Sequence, residues 1–290
     1  MSSARAVVQH GQPCVCIALP GGDQATVALH GAQVLSWTTV DGVERLFLSP
    51  RAVFDGRTAI RGGVPVCFPQ FNQRGPLPKH GFARNLPWTP SSPGPEAAPG
   101  DGVQAAFELQ DSAATRGLWP HGFLARLTVT LQPGRLGITF TAHNTGAEPW
   151  DFTLALHSYL RTGDITTSRL HGLGGAAVWD AVRDRRHAAE PARAAEPLSF
   201  DGETDRVYTA RRAPLRLAEP RGTLEITQDA CFPETVVWNP GEALCATLAD
   251  MPADGWRHML CVEAAAIDTP VRLAPGERWS GTQTLAVAAA

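Results

Sequence analysis

The chain is expected to fold as an all-β protein, a large antiparallel β-sandwich, on two features of its pattern and one absence. Apolar residues recur with a period of two in short runs, turn residues separate those runs at short intervals, and no long segment keeps an apolar period of 3.6. Leu127, Val129 and Leu131 alternate with Arg126, Thr128 and Thr130. After Pro133-Gly134 the alternation resumes at Leu136, Ile138 and Phe140, which reads as a hairpin. Leu215 and Leu217, then Leu224 and Ile226, flank Glu219-Pro220-Arg221-Gly222 in the same manner. Near the C-terminus Val271 and Leu273, Pro275-Gly276, and the run from Trp279 to Leu285 and Val287 repeat the pattern. Two segments read as loop excursions: Thr89 to Gly102, rich in Pro, Ser, Gly and Ala, and Arg183 to Glu196, rich in Arg and Ala and able to form a short helix. The strand pattern resumes on both sides of each, so residues 1–290 are expected to form one domain.

Composition narrows the function classes. A chain of 290 residues buries enough surface to need neither disulfide nor metal for stability. Hydrophobic residues at 43% and charged residues at 18% describe a globular protein and exclude a disordered chain. The net charge of -3, from 25 Lys+Arg against 28 Asp+Glu, argues against a nucleic-acid partner or a polybasic membrane partner. No run reaches the roughly 18 apolar residues of a spanning helix. Residues Met1 to Pro13 hold no apolar stretch of signal-peptide length. A cytoplasmic location is therefore expected; the chain is also expected to be a monomer. Cys14, Cys16, Cys67, Cys231, Cys245 and Cys261 lack C-x-x-C spacing and read as small buried hydrophobes of a reducing compartment.

Three stretches carry candidate chemistry. Arg61 to Gln70, followed by Lys79 to Arg84, crowds aromatic and basic residues among glycines and prolines; as a group they suggest an anion-binding rim, since guanidinium forks match phosphate oxygens. Lys79 is the sole lysine of the chain. Trp150 to Leu160, read as one strand, points Phe152, Leu154 and Leu156 one way and Thr153, Ala155, His157 and Tyr159 the other. His157 thus lies on the less apolar face, where a cleft could receive it. Trp256 to Ala265, also read as a strand, puts Glu263 on one face with Met259, Cys261 and Ala265. A carboxylate among such neighbours is costly unless paired, and partial burial raises its pKa toward that of a useful base.

Taken together these stretches resemble the aldose 1-epimerase (galactose mutarotase-like) superfamily, and within it the glucose-6-phosphate 1-epimerase branch. The matching residues are R-G-G-V-P-V-C-F-P at 61–69, H-G-F-A-R at 80–84, L-H-S-Y-L-R-T-G-D-I at 156–165, G-E-T-D-R-V-Y at 202–208, V-V-W-N-P at 236–240 and M-L-C-V-E at 259–263. K-H-G-F-A-R in place of L-H-G-G favours the sugar-phosphate branch over the plain galactose mutarotases. The resemblance implies a supersandwich fold and a cofactor-free, metal-free interconversion of the α and β anomers of a hexose 6-phosphate, glucose 6-phosphate foremost. By motif, His157 resembles the general acid and Glu263 the general base, Arg61 and Arg84 the holders of substrate phosphate, and His80 and Asp205 further sugar contacts. Where the family often has glutamine this chain has Lys79, expected to assist the phosphate site. Other readings stay open: a non-catalytic carbohydrate-binding sandwich, an epimerase of free sugars, and a cupin-like metalloenzyme with His80, His157 and Glu263 as ligands. The absence of H-x-H spacing counts against the last.

Overall fold

The computed structural model describes residues 3–93, 100–193, 195–210 and 213–288, and its regular structure is almost wholly β. Four strands come first: β1 (Ser3–Gln9), β2 (Gln12–Ala18), β3 (Gln24–Ala28) and β4 (Val34–Thr38). Next follow β5 (Val66–Cys67), β6 (Thr89–Ser91), β7 (Val103–Gln110), β8 (Phe123–Gln132), β9 (Arg135–Asn144), β10 (Trp150–Leu156), β11 (Tyr159–Arg161) and β12 (Arg169–His171). The remainder are β13 (Val178–Asp180), β14 (Arg185–His187), β15 (Thr204–Thr209), β16 (Leu215–Glu219), β17 (Gly222–Gln228), β18 (Glu234–Asn239), β19 (Met259–Leu273) and β20 (Arg278–Val287).

Strands β1 to β4 form a meander. The second sheet runs β14-β13-β15-β18-β19-β10-β5, with β11 also paired to β19, and the third runs β12-β16-β17-β20-β9-β8-β7-β6. The expected hairpin is present: β8 and β9 pair from Phe123↔Asn144 to Gln132↔Arg135 around Pro133-Gly134. Its inward residues Leu127, Val129, Ile138 and Phe140 are fully buried and share one apolar cluster with Leu154, Leu156, Val237 and Val262 of the second sheet. Each such side chain contributes roughly 1.5–3 kcal/mol. This is the antiparallel sandwich read from the alternation.

Three local expectations change. The C-terminal pattern around Pro275-Gly276 is not a hairpin, because β20 leaves the sheet of β19 and fills the gap between β17 and β9 in the opposite one. Turn residues set a chain reversal but not the edge the returning strand will join. Between Arg183 and Glu196 the chain forms strand β14 and a 3-10 turn over Pro191–Arg193 rather than an α-helix. Thr89 to Ser91 pairs with β7 as an edge strand, and residues 94–99 of that excursion lie outside the described residues.

The far face of the second sheet, turned away from the main core, carries a smaller apolar cluster including Phe71, Ala155, Val207, Val236 and Ala265. Strand alternation places Glu263 on that face with Ala265. Phe71 packs into that cluster, and Asn72, Lys79, His80 and Arg84 of the same connection line the cavity beside it.

Candidate active site

Backbone geometry around His157 sets the site. Gly63 has φ 62, and a Cβ there would collide with the Val34 carbonyl oxygen, so only glycine lets this loop run so close to β4. From that position the Gly63 carbonyl accepts the Tyr159 N–H (2.9 Å), and the Pro65 carbonyl accepts the His157 N–H (3.0 Å). The Ser158 N–H turns back to the Leu156 carbonyl (2.9 Å). The stretch from Trp150 to Leu160 is therefore two strands with a break at His157-Ser158, where sequence alternation suggested one. Register survives the break: Leu156 pairs with Ala264 before it and Tyr159 with Cys261 after it. His157 consequently stands beside Glu263 on the adjacent strand, with Nε2 and Oε1 3.4 Å apart.

Both groups are buried, Glu263 at 1% exposure and His157 at 8%. Burial, and then the negative charge of Asp205, push the Glu263 carboxyl well above its ordinary range. Burial, and then the neighbouring His80 and the guanidinium groups of Arg84 and Arg61, push the His157 imidazole well below its own. The pair thus favours a carboxyl beside a neutral imidazole, one proton between them. His157 Nδ1, Glu263 Oε2 and Arg84 Nε are buried without a hydrogen-bond partner. Such groups are rare in folded proteins and point to a ligand that completes them.

His80 faces the pair, its ring 5.6 Å from that of His157 and edge-on to it. Its Nδ1 accepts the Asn72 backbone N–H (3.3 Å), which assigns the proton to Nε2. Burial, followed by Arg84, Lys79 and Arg61, lowers its pKa to about 3, so it is a neutral donor at physiological pH.

All seven residues singled out from the sequence line one cavity of about 290 Å³: Arg61, Lys79, His80, Arg84, His157, Asp205 and Glu263. Arg61 is braced, its Nε on Asp250 (3.0 Å) and its Nη1 on the Tyr159 hydroxyl (3.1 Å). Arg84 donates from Nη2 to the Lys79 carbonyl (3.0 Å), while the Lys79 side chain stands exposed at the rim. Asp205 sits on β15, and burial and then Glu203 raise its pKa. Sequence reasoning missed Tyr159, Trp238, Asn72 and Glu203 as wall residues. Tyr159 stacks on His157 (4.8 Å, 13°) and Trp238 meets both rings edge-on. The signal for those two was present, since each lies inside a motif quoted above. As for metal ligation, among the described residues the group with potential ligand atoms within 4.8 Å of one another is His157, Cys261 and Glu263 rather than the set containing His80. Burial holds Cys261 well above its ordinary pKa, as a thiol.

Comparison with known proteins places these observations in context. A family model described as aldose 1-epimerase matches residues 13–286. A Cenchrus ciliaris protein provisionally named glucose-6-phosphate 1-epimerase is 37% identical over 266 residues, which cover 89% of this chain and 79% of its own. A Salmonella typhimurium protein of the same provisional name is 39% identical over 274 residues, covering 91% and 87%. The crystal structure of a provisionally assigned mutarotase from Salmonella typhimurium superposes with a TM-score of 0.84 at 32% identity, over 98% of this chain and 97% of that one.

Proposed function

The chain belongs to the aldose 1-epimerase family, and we propose that it interconverts the α and β anomers of a hexose 6-phosphate, glucose 6-phosphate foremost, with His157 and Glu263 as the reacting groups. The observation that carries this reading is the juxtaposition of a buried, incompletely bonded His157–Glu263 pair with Arg61, Lys79 and Arg84 around one cavity. The cavity is close to the lower end of the range for small-ligand sites. Guanidinium groups suit a phosphate dianion.

The chemistry needs one proton removed from the C1 hydroxyl and one delivered to the ring oxygen. With the shared proton on His157, the Glu263 carboxylate accepts the first and the His157 imidazolium delivers the second. The C1–O5 bond breaks, and its electron pair leaves with the protonated ring oxygen. The aldehyde turns about C1–C2 and closes by the reverse transfers. The proton count of the pair is the same before and after ring opening, and the open-chain stage coincides with the carboxyl–imidazole state that burial favours. Acid–base groups of this kind supply roughly 10²–10⁴-fold each. No electrons or groups leave the substrate, so the scheme requires no cofactor. His80, as a neutral Nε2–H donor, and Asp205 would hold sugar hydroxyls, and Arg61 and Arg84 the phosphate, with Lys79 assisting at the rim. On this reading the protein is a cytoplasmic monomer acting on a small soluble substrate.

The decisive experiment is NMR measurement of anomer exchange on glucose 6-phosphate, with free glucose and galactose beside it. Faster exchange on the phosphorylated sugar is expected. Exchange at the buffer rate for all three would defeat the reading, and equal acceleration of all three would move the substrate to free aldoses.

A further inference from the structure

We infer that Gln283 is a positioning residue for the His157–Glu263 pair, acting through Ser158 and Val262; this rests on the reading of that pair as the reacting groups. Gln283 belongs to β20, in the sheet opposite the site. It occupies an inward position between Gly281 and Leu285 and has no solvent exposure. An amide in that place displaces an apolar side chain and is destabilising unless both of its ends are bonded. Both are. The Ser158 hydroxyl donates to Gln283 Oε1 (2.5 Å), and Gln283 Nε2 donates to the Val262 carbonyl (2.9 Å).

Ser158 follows His157, and Val262 precedes Glu263. The Val262 N–H also donates directly to the Ser158 carbonyl (3.1 Å). One buried amide therefore ties the two backbones together where β10 gives way to β11 and the reacting side chains stand side by side. Two other buried glutamines also donate to backbone near the site, Gln70 with both ends of its amide bonded and Gln33 through Nε2 alone. Gln33 Nε2 donates to the carbonyls of Ile60 (3.0 Å) and Gly62 (2.6 Å), on either side of Arg61. Gln70 Nε2 donates to Asn72 and Leu77 (3.0 Å each), fixing the segment that leads to His80. All three buried glutamines among the described residues thus brace backbone close to a site residue. Asn144 and Asn239 brace backbone elsewhere in the same way, but among the described residues Gln283 alone links the residue after His157 to the residue before Glu263.

The test compares Gln283→Met and Ser158→Ala with the native enzyme, scoring kcat and KM on glucose 6-phosphate beside thermal unfolding. Misplaced reacting groups should lower kcat roughly 10–100-fold while KM stays nearly unchanged. In Gln283→Glu, a protonated carboxyl can accept from Ser158 and donate to Val262. That variant should recover kcat at acid pH and lose it as the carboxyl ionises. Native kcat in folded Gln283→Met and Ser158→Ala overturns the inference. If Gln283→Met does not fold, Ser158→Ala decides alone: lost kcat supports the inference and native kcat overturns it. If the native protein exchanges no anomers, the functional reading has failed, and the His157 ring resonances in NMR decide instead. Their pH response should differ between native and Ser158→Ala, and an identical response overturns the positioning role.

Discussion

At position 263 a carboxyl group is held almost out of reach of water, and the protein is destabilised by that choice. In the unfolded chain Glu263 ionises near its ordinary value of 4.5, whereas in the folded chain it does so well above it. Between those values folding takes up a proton, so this residue's contribution to stability falls as pH rises. Glu263→Gln should therefore cost at least about 100-fold in exchange rate while raising Tm, more at about pH 8 than at about pH 5, by about 2–4 °C for each kcal/mol gained. A Tm difference independent of pH would contradict this account. His80 works in the opposite sense. It binds a proton near 6.5 when unfolded and only near 3 when folded. Unfolding takes up a proton between those values, so stability falls as pH drops through that window, and His80→Asn should flatten part of the fall seen in urea titrations. At the rim, Arg84→Ala removes a charge-assisted contact worth roughly 1.5–3 kcal/mol. KM for glucose 6-phosphate should rise roughly 10- to 150-fold, far more than KM for glucose, and equal rises would make Arg84 structural. Lys79→Gln should weaken phosphate-dependent binding modestly, by an amount that added salt screens away.

Among the elements, the connection that carries Arg61, Gly62 and Gly63 has the narrowest steric tolerance. Gly63 sits at positive φ with the Val34 carbonyl where a Cβ would go, and its own carbonyl holds the Tyr159 N–H. Gly63→Ala should lose roughly 1–3 kcal/mol from backbone strain alone, with more from the collision. The urea midpoint would then fall with m unchanged, and a midpoint equal to native would refute the role given to this glycine. The β8–β9 hairpin was legible because period-two apolar residues and a Pro-Gly turn agree with each other. The break at His157-Ser158 was not, since alternation runs through it undisturbed. It arises from hydrogen bonds to Gly63 and Pro65, residues nearly a hundred positions earlier.

Across the whole molecule, one apolar cluster takes side chains from all three sheets, including Val27 of β3, Phe140 of β9 and Val262 of β19. A core shared in this way should unfold as a unit. Calorimetry and near-UV circular dichroism are expected to follow a single transition, as one domain requires; two separated transitions would divide the chain. The cleft lies on the far face of one sheet, so substitutions in it such as Glu263→Gln should leave that transition cooperative.

The amino-acid sequence by itself determined the all-β class, the β8–β9 and β16–β17 hairpins and the residue types of the candidate site, because alternation, turn chemistry and short motifs are local properties of the chain. Arg61, Lys79, His80, Arg84, His157, Asp205 and Glu263 were nameable as candidates from the sequence, His80 and Asp205 only through the family resemblance of their motifs. Their convergence on one cavity, the contact of His157 with Glu263 on adjacent strands, the departure of β20 to the opposite sheet and the reach of Gln283 back to Ser158 were decided only by tertiary structure. Each depends on which strands become neighbours, a choice made by packing many inward faces against one another at once. No local run of residues encodes that choice. The perturbed protonation of the pair follows from it too, since desolvation is a property of everything packed around a group and not of the group's own place in the chain.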